Sequence, residues 1–359
     1  MLRIGMLTSG GDCQTLNAAM RGVIKCINAS GKEFEIYGFI CGYQGLIYEN
    51  YKILSEDDFS GIINLGGTIL GSSRTPFKQI REPGKDGIDK VEAMKQTYHK
   101  LNLDCLVVLG GNGSHKTANL LREEGLNIVT LPKTIDNDLW GTDMTFGFHS
   151  AVKVATDCID SIHTTAASHG RVFVVEVMGH HVGWVALYAG IAGGADVILI
   201  PEIPYDIKNI ISTIESRKNQ GKNFSIIVVA EGAISKEDAA LTKAEYKAKK
   251  KKSKFLSVSY EIADEIKNLT GMEIRVTVPG HIQRGGAPSA YDRILAGRLG
   301  AKAGQMILDE KYGYMAGFRN NEIISVPLEE VAGKLKYVPD NSQILEDARA
   351  LGICMGDKN

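Results

Sequence analysis

The feature that most constrains the fold is a series of short apolar runs separated by longer stretches with helical patterning. The runs with strand character cover residues 4–8, 35–40, 105–109, 127–131, 171–177, 197–200, 225–230 and 273–278. Strands that alternate with helices in this way are typical of parallel sheets whose two faces are covered by helices. We therefore expect an α/β protein built on parallel sheets.

The length of the chain predicts more than one domain. With 359 residues, 44% of them hydrophobic, the chain can form two domains with separate cores. We expect a domain break near residue 148, where a long helix begins that ends around His163. Residues 234–256 are rich in alanine and lysine and contain the run 249–252 of four lysines. We interpret this stretch as a solvated helix or loop insertion.

Composition excludes several classes of function. The net charge of -1 gives no reason to expect a nucleic acid or an acidic membrane surface as partner. The six cysteines include no C-x-x-C pair, which argues against a zinc site and a disulfide framework. Neither a signal peptide nor an apolar run of about 20 residues is evident. We expect a cytoplasmic protein that binds small molecules.

Glycine-rich loops follow two of the predicted strands. Residues 8–12 read T-S-G-G-D after the first strand, and residues 110–114 read G-G-N-G-S after the third. Such loops offer bare main-chain N–H groups and a helix N-terminus, which together bind phosphate. Neither loop matches a Walker A or a G-x-G-x-x-G motif. Two such loops in one sheet favour a phosphate-binding edge over simple tight turns.

Two aspartates follow the strand at residues 127–131. The sequence P-K-T-I-D-N-D at residues 132–138 places Asp136 and Asp138 at the carboxyl end of that strand, where open α/β sheets bind ligands. If the loop is extended, both carboxylates point the same way. A proton acceptor beside a metal-holding carboxylate suits phosphoryl transfer to a hydroxyl. For the aspartates considered alone, an Asx-turn with solvated side chains is the alternative.

Further motifs follow strands in the second half of the chain. They are E-V-M-G-H-H at 176–181, P-E-I-P at 201–204, E-G at 231–232 and G-H-I-Q-R-G-G at 280–286. A carboxylate there can accept hydrogen bonds from sugar hydroxyls. The basic side chains able to neutralise a phosphate are those of Arg171, Arg275, His281 and Arg284.

Taken together, these strings resemble the phosphofructokinase family from residue 4 to about residue 303. The resemblance implies two Rossmann-like parallel-sheet domains with the active site in the cleft between them. It predicts a phosphoryl-donor domain at 1–147 plus about 283–333, and a fructose 6-phosphate domain at 148–282 plus about 334–359. The implied activity is magnesium-dependent phosphorylation of the 1-hydroxyl of fructose 6-phosphate, an early committed step of glycolysis.

The resemblance also implies roles for individual residues. Asp136 is the expected general base, with Thr134 at the same reacting end, Lys133 neutralising the transition state and Asp138 with Asn112 at Mg²⁺. The donor-site residues implied are Gly11, Arg74, Thr75, Gly111, Asn112, Gly113 and Ser114. The sugar-phosphate residues implied are Thr134, Asp136, Met178, Gly179, His180, Glu231, His281 and Arg284, with Arg171 and Arg275 supplied by a neighbouring subunit. We therefore expect a homodimer or homotetramer.

Two positions bear on the phosphoryl donor. Where pyrophosphate users of the family carry a second acidic residue, this chain has Gly113, which leaves room for the α-phosphate of ATP. Lys133 stands where pyrophosphate users carry lysine and bacterial ATP users commonly carry glycine. The combination resembles the mixed group of the family, in which ATP is a frequent donor. Pyrophosphate is the alternative donor.

Two further positions depart from the family pattern. Asn112 replaces an acidic residue beside the metal, and a neutral oxygen binds Mg²⁺ more weakly than a carboxylate. Asn112 motivates the alternative of a non-catalytic sugar-phosphate sensor or regulatory subunit, for which recovery of activity in Asn112→Asp would be contrary evidence. His180 stands where many bacterial members carry arginine, which leaves a seven-carbon ketose phosphate as an open alternative substrate.

Overall fold

The computed structural model describes residues 1–84 and 86–358, which form two compact units. The first comprises Met1–Ser150 and Arg284–Lys336, and the second comprises Ala151–Gln283 and Tyr337–Asn359. The chain therefore leaves the first unit, builds most of the second, returns once to the first and ends in the second. Within the described residues no helix is both long enough and apolar enough to span a bilayer.

The strands and helices alternate along most of the chain. The strands are β1 (Leu2–Thr8), β2 (Phe34–Phe39), β3 (Tyr51–Leu54), β4 (Cys105–Gly110), β5 (Ile128–Pro132), β6 (Val172–Val177), β7 (Val197–Leu199), β8 (Ser225–Ala230), β9 (Ile274–Thr277), β10 (Tyr314–Arg319) and β11 (Glu322–Pro327). The α-helices are α1 (Leu16–Ala29), α2 (Tyr43–Ile47), α3 (Lys90–Lys100), α4 (Asn112–Glu123), α5 (Phe148–His169), α6 (Trp184–Ala192), α7 (Ile207–Asn219), α8 (Lys236–Ala239), α9 (Lys243–Lys252), α10 (Val258–Thr270), α11 (Ala290–Leu308), α12 (Leu328–Val331) and α13 (Gln343–Ala350). Short 3-10 helices lie at Glu56–Phe59, Phe77–Gln79 and Gly280–Arg284.

The first unit is built on a seven-stranded sheet in the order β11-β10-β5-β4-β1-β2-β3. The five inner strands are parallel to one another, and the edge strands β3 and β11 are antiparallel to β2 and β10. Every residue of β4 and β5 is buried, as expected for central strands covered on both faces. Helices α1 and α11 pack closely because Gly22 and Gly300 have no side chains; a Cβ on Gly300 would lie 2.3 Å from the Ala19 carbonyl oxygen.

The second unit contains a parallel four-stranded sheet in the order β7-β8-β6-β9. Strands β6 and β8 are buried along their whole length. Their valine and isoleucine side chains pack against α7 and α10, with Ile210, Ile262 and Ile266 in the core. The prediction of an α/β protein with parallel sheets is confirmed.

The structure differs from the sequence-based elements at several places. Strands β3, β10 and β11 were not predicted, and α5 continues to His169 rather than ending around His163. The serine and threonine hydroxyls in the last turns of α5 do not end the helix, because they bond back to its own main-chain carbonyls, as Ser168 Oγ does to the Thr164 carbonyl 2.8 Å away. The lysine-rich stretch forms α8 and α9, and every residue of α9 is exposed or half-exposed.

Candidate active site

Three loops of the first unit meet at the carboxyl ends of the adjacent strands β1, β4 and β5. The Ser9 N–H donates to the Leu109 carbonyl at 2.9 Å, and the Lys133 N–H donates to the Gly110 carbonyl at 3.0 Å. A Cβ on Gly10 would lie 3.5 Å from Lys133 Nζ and 3.9 Å from Ser114 Oγ. The two glycine loops and the aspartate loop are therefore neighbours, at the edge where parallel sheets bind ligands.

Lys133 lies at the centre of these loops. Its side chain is only 3% exposed, and its ammonium donates a hydrogen bond to the Gly11 carbonyl oxygen. Burial lowers the pKa of Lys133 from 10.5 to about 8, because a charged ammonium loses its hydration there. Lys133 is thus still mostly cationic at pH 7 and carries a positive charge into the loop cluster.

The N-terminus of helix α4 faces the same cluster. The helix begins at Asn112 after the N-cap residue Gly111, and the described side chains include neither a cap for it nor an acidic residue in its first turn. Its first main-chain N–H groups and its dipole therefore favour an anion. Gly113 faces open space. Apart from its chain neighbours and the backbone of its own helix, no described atom would lie within 4 Å of a Cβ added there.

The segment around residue 74 is attached to the first glycine loop. The Gly10 N–H donates to the Ser73 carbonyl at 3.0 Å, and Ser72 Oγ donates to the Gly10 carbonyl at 2.6 Å. Arg74 is exposed, and the buried Thr75 hydroxyl has no hydrogen-bond partner among the described residues. Both donor-site residues predicted in this segment thus follow directly after residues that bond to the first loop.

The aspartate loop is not extended, which corrects the premise that Asp136 and Asp138 point the same way through an extended backbone. Asn137 lies between them in the left-handed region, with φ 54°. Asparagine is one of the few non-glycine residues that adopt this conformation readily. The turn begins where the Asp136 N–H donates to Thr134 Oγ1 at 3.1 Å. The loop places the two aspartates on either side of a fixed bend.

Sequence reasoning missed the residues that hold this bend. Asn137 is buried; its Oδ1 accepts from the Thr145 N–H at 3.1 Å and its Nδ2 donates to the Asp143 carbonyl at 3.2 Å. Lys336 Nζ also donates to Asn137 Oδ1, at 3.0 Å. Burial lowers the pKa of Lys336 to about 7. No local motif marks a lysine 199 residues away in sequence as part of this loop.

The candidate metal ligands are the Asn112 amide and the Asp138 carboxylate. Asn112 donates through Nδ2 to the Lys334 carbonyl at 3.1 Å, and its buried Oδ1 accepts no hydrogen bond from the described residues. No cluster of three histidine, cysteine or acidic side chains suited to a metal occurs among residues 1–84 and 86–358. Mg²⁺ often needs only one or two protein oxygens besides phosphate and water. An amide oxygen and the Asp138 carboxylate fit such a partial site.

Arg284 also belongs to the first unit. Its Nη1 donates to the Asp12 carbonyl at 2.9 Å, and a Cβ on Gly11 would lie 2.6 Å from the same nitrogen. A side chain at residue 11 would therefore displace the guanidinium from its position over the loop. This contact links a residue predicted for the sugar phosphate to the loop predicted for the donor.

The second unit has its own loop cluster, at the carboxyl ends of β6, β8 and β9. Glu231 Oε1 accepts from the main-chain N–H groups of His180 at 2.8 Å and Gly179 at 3.4 Å. His180 has φ 50°, an uncommon conformation for histidine, and Gly179 approaches the Val182 carbonyl too closely for any side chain. Strain of this kind at a loop that follows a strand is typical of ligand sites. Met178 is half-exposed beside it.

Two residues without a predicted role hold this second cluster. The buried Gln283 accepts from the Met178 N–H at 3.2 Å and donates to the Gly280 carbonyl at 3.1 Å. Glu202 accepts from the N–H groups of Gly183 at 3.1 Å and Val338 at 2.9 Å. Burial raises the pKa of Glu202. Gln283 lies within the G-H-I-Q-R-G-G string, so its motif was a signal that could have identified it.

The two arginines expected to serve a neighbouring subunit share one partner. Arg171 Nε lies 2.9 Å from Glu273 Oε2, and Arg275 Nη2 donates to Glu273 Oε1. Arg171 directly precedes β6 and Glu273 directly precedes β9, and the pairing of Val172 with Ile274 brings the two residues side by side. His281 is exposed in the 3-10 helix Gly280–Arg284. Arg171, Arg275 and His281 all belong to the second unit.

The family is shown by comparison with known proteins. The phosphofructokinase family model matches residues 3–307. A protein of Spirochaeta thermophila named ATP-dependent 6-phosphofructokinase is 56% identical over 98% of this chain and 97% of its own length. ATP-dependent 6-phosphofructokinase 3 of Bacteroides thetaiotaomicron is 48% identical over 99% of this chain and 100% of its own length. The chain belongs to the phosphofructokinase family, and the resemblance seen in the sequence is confirmed.

Solved structures agree with this fold. Phosphofructokinase from Saccharomyces cerevisiae matches 92% of this chain with a TM-score of 0.77 and 33% identity, and this chain spans 45% of the yeast chain. A pyrophosphate-dependent phosphofructokinase from Marinobacter aquaeolei matches 100% of this chain with a TM-score of 0.81 and 23% identity. At that identity the second match supports the fold and carries no information on the donor.

Proposed function

We propose that this chain is an ATP-dependent 6-phosphofructokinase that transfers the terminal phosphoryl group of ATP to the 1-hydroxyl of fructose 6-phosphate. The observation that carries the proposal is the meeting of the two glycine loops with the Lys133–Asp138 loop at one sheet edge. Relatives that bear this name match the chain over nearly their whole lengths. We expect the reaction in the cytoplasm, as an early step of glycolysis.

In this proposal the first unit binds the phosphoryl donor. Gly11, Gly111, Gly113 and Ser114 offer main-chain N–H groups and a helix N-terminus to the phosphates. Arg74 and Thr75 follow the segment bonded to the first loop and complete the donor site. Lys133 supplies a cation that is already in place when negative charge shifts during transfer, so it stabilises the transition state without reorganisation.

Asp136 is the proposed general base. Its carboxylate takes the proton of the attacking 1-hydroxyl, and Thr134 orients the same end of the sugar. The Asp136 main chain is fixed by the hydrogen bond from its N–H to Thr134 Oγ1. Phosphoryl transfer depends chiefly on positioning and on charge neutralisation, so a rigid loop is the useful contribution of the protein.

The proposed cofactor is Mg²⁺, held by Asp138 and by Asn112 through Oδ1. The ion would neutralise charge on the donor phosphates when bound. Asn112 contributes a neutral ligand, so we expect weaker metal binding than with a carboxylate at that position. The orientation of its amide, with Nδ2 bonded to the Lys334 carbonyl, supports the assignment of Oδ1 to the metal.

Most residues proposed for the sugar belong to the second unit, whereas Arg284 belongs to the first. Glu231 and the main chain at Met178 and Gly179 suit the sugar hydroxyls, and the basic side chains suit the 6-phosphate. The residues proposed for the phosphate are His180, His281 and Arg284, with Arg171 and Arg275 from a neighbouring copy. The convergence of the two arginines on Glu273 supports a preformed pair of guanidinium groups. The proposal therefore includes a homodimer or homotetramer.

ATP is preferred over pyrophosphate because of the open space at Gly113. Lys133 is the observation that favours pyrophosphate, since a buried ammonium could stabilise that leaving group. The test is the initial rate of fructose 6-phosphate phosphorylation with Mg²⁺, measured in parallel with each donor. We expect turnover with ATP. Turnover with pyrophosphate alone would replace the donor assignment, and ligand binding without turnover would favour a sensor.

A further inference from the structure

A short segment at the end of the first unit contacts both the donor loop and the aspartate loop. Leu335 forms an antiparallel bridge with Leu139, and the Lys336 N–H donates to the Asp138 carbonyl at 2.8 Å. One residue before the bridge, the Lys334 carbonyl accepts from Asn112 Nδ2. Residues 334–336 are thus hydrogen-bonded to the main chain of Asp138 and to the side chain of Asn112, the two proposed metal ligands.

The Lys336 side chain continues beneath the aspartate loop. Its ammonium donates to Asn137 Oδ1 at 3.0 Å, to the Thr142 carbonyl at 2.9 Å and to the Asp143 carbonyl at 2.6 Å. An ammonium has three N–H donors, and here three acceptors are provided for them. Such a group fixes the relative positions of both ends of the loop.

Asn137 connects this ammonium to the two aspartates. It is 1% exposed and holds the left-handed bend that separates Asp136 from Asp138. Its Oδ1 receives bonds from Lys336 Nζ and from the Thr145 N–H, so the amide cannot rotate without losing both. The direction in which each aspartate leaves the bend depends on this amide.

We propose that Lys336 is a positioning residue for phosphoryl transfer, which acts through Asn137 to fix the orientation of Asp136 and Asp138. The proposal rests on the proposed function, since it concerns the same base and the same metal-side carboxylate. A residue needed only for folding would change stability and leave the rate of the folded enzyme intact. A positioning residue changes kcat while the affinity for both substrates is kept.

The experiment compares Lys336→Met with Lys32→Met, a matched change at an exposed lysine of the same unit. We expect Lys336→Met to lower kcat by about 10–100-fold, the size of effect that small misplacement of reacting groups produces. The KM values for ATP and fructose 6-phosphate should stay within about twofold, as expected when ground-state binding is unchanged. Lys32→Met should match the wild type. An unchanged kcat in folded Lys336→Met would overturn the proposal.

A double mutant tests the route through Asn137. If Lys336 acts through that amide, Lys336→Met should cost little further rate in an Asn137→Ala background. If the kcat of the double mutant falls by the product of the two single-mutant losses, Lys336 does not act through Asn137. Should Lys336→Met fail to fold, Lys336→Gln retains two N–H donors and is measured in its place, with a smaller loss of kcat expected and an unchanged kcat counting against the proposal.

A spectroscopic measurement separates this proposal from the proposed function. Trp140 follows Leu139 in the loop and is 47% exposed, and the only other tryptophan is Trp184. In a Trp184→Phe background, Lys336→Met should shift the emission of Trp140, whether or not the protein phosphorylates the expected sugar. If the wild type is inactive but Lys336→Met still shifts the emission, the proposed function is refuted and the contact between Lys336 and the loop is supported. If Lys336→Met neither shifts the emission nor lowers kcat, the positioning role of Lys336 is refuted and the proposed function stands.

Discussion

The two units hold their candidate ligand loops with opposite charges. In the first unit the ammonium groups of Lys133 and Lys336 donate to main-chain carbonyls of the loops. In the second unit the carboxylates of Glu231 and Glu202 accept from main-chain N–H groups. Each anchor serves its own loop, and the proposed function assigns two of them, Lys133 and Glu231, to a ligand as well.

This contrast explains why the two loop clusters suit different substrates. The buried Lys133 leaves a positive potential where the polyphosphate would bind, and the glycine loops keep main-chain N–H groups available to it. Carboxylate anchors instead offer acceptor oxygens to hydroxyl groups, which suits a sugar. The predictions below test whether the two clusters work in this divided way, from the largest expected effect to the smallest.

The largest effect is expected at the base. Asp136→Ser should reduce kcat by roughly 10²–10⁴-fold, since a general base contributes about that much. The KM for fructose 6-phosphate should change little, because the lost interaction belongs to the transition state. Steady-state kinetics beside the exposed control Asp160→Asn will measure this. A KM that rises while kcat holds would move Asp136 from catalysis to sugar binding.

Lys133→Met should lower kcat by roughly 10²-fold, comparable to the loss of one preorganised electrostatic donor. In the wild type, turnover should fall as pH rises through about 8, where Lys133 loses its proton. The unfolded chain keeps that proton up to about 10.5, so wild-type stability relative to Lys133→Met should increase from pH 8 toward 10.5. Rates and denaturant unfolding over this range check both signs. A flat rate profile together with an unchanged stability difference would contradict a buried cation.

Gly113→Asp should lower kcat/KM for ATP by about tenfold or more, because a carboxylate beside the α-phosphate repels it. The described atoms leave space for the new side chain, so the fold should be retained. The control is Ala301→Asp, which adds the same charge at an exposed residue of the same unit. Gly125→Asp would not serve, because the positive φ of Gly125 would strain a new side chain. Equal losses with ATP and pyrophosphate would argue against a donor-selecting role.

Glu231→Gln should raise the KM for fructose 6-phosphate by several-fold to about tenfold, the usual cost of replacing a charged hydrogen-bond acceptor. The amide oxygen can still accept from the His180 N–H, so the loop should hold. The KM for ATP should stay constant. If the KM for ATP rises instead, the division of labour between the clusters is wrong.

Asn112→Asp should give the smallest change. A carboxylate there would face the Lys334 carbonyl, which now accepts from the amide, so we expect a loss of about 1 kcal/mol in stability. Tighter Mg²⁺ binding should offset this loss in the rate, and thermal unfolding with and without Mg²⁺ separates the two effects. A large gain in turnover would show that Asn112 limits the natural enzyme.

Much of the fold could be predicted from the sequence because its central strands are buried on both faces. Strands β4, β6 and β8 consist mainly of apolar residues, and their bounds match the predicted runs within one residue. Strand β3 was missed because it is a four-residue edge strand with half-exposed or exposed side chains. Strand β10 contains Gly317, which a local pattern does not associate with a strand.

The site could be predicted as far as its motifs extend along the chain. Lys133, Asp136 and Gly113 could be proposed because each belongs to a string that follows a strand and resembles a family motif. Lys336 was not identified, because it reaches the aspartate loop only after the chain has re-entered the first unit, and no local pattern encodes that return. The bend at Asn137 was also missed, because the D-N-D string alone is compatible with an extended loop or a turn.

The most direct test of the central claim is the product formed by the wild-type protein from ATP, Mg²⁺ and fructose 6-phosphate, followed by ³¹P NMR. The account predicts ADP and a sugar with phosphates at carbons 1 and 6, formed in equal amounts. ATP consumption without a second sugar phosphate, or no consumption at all, would contradict it.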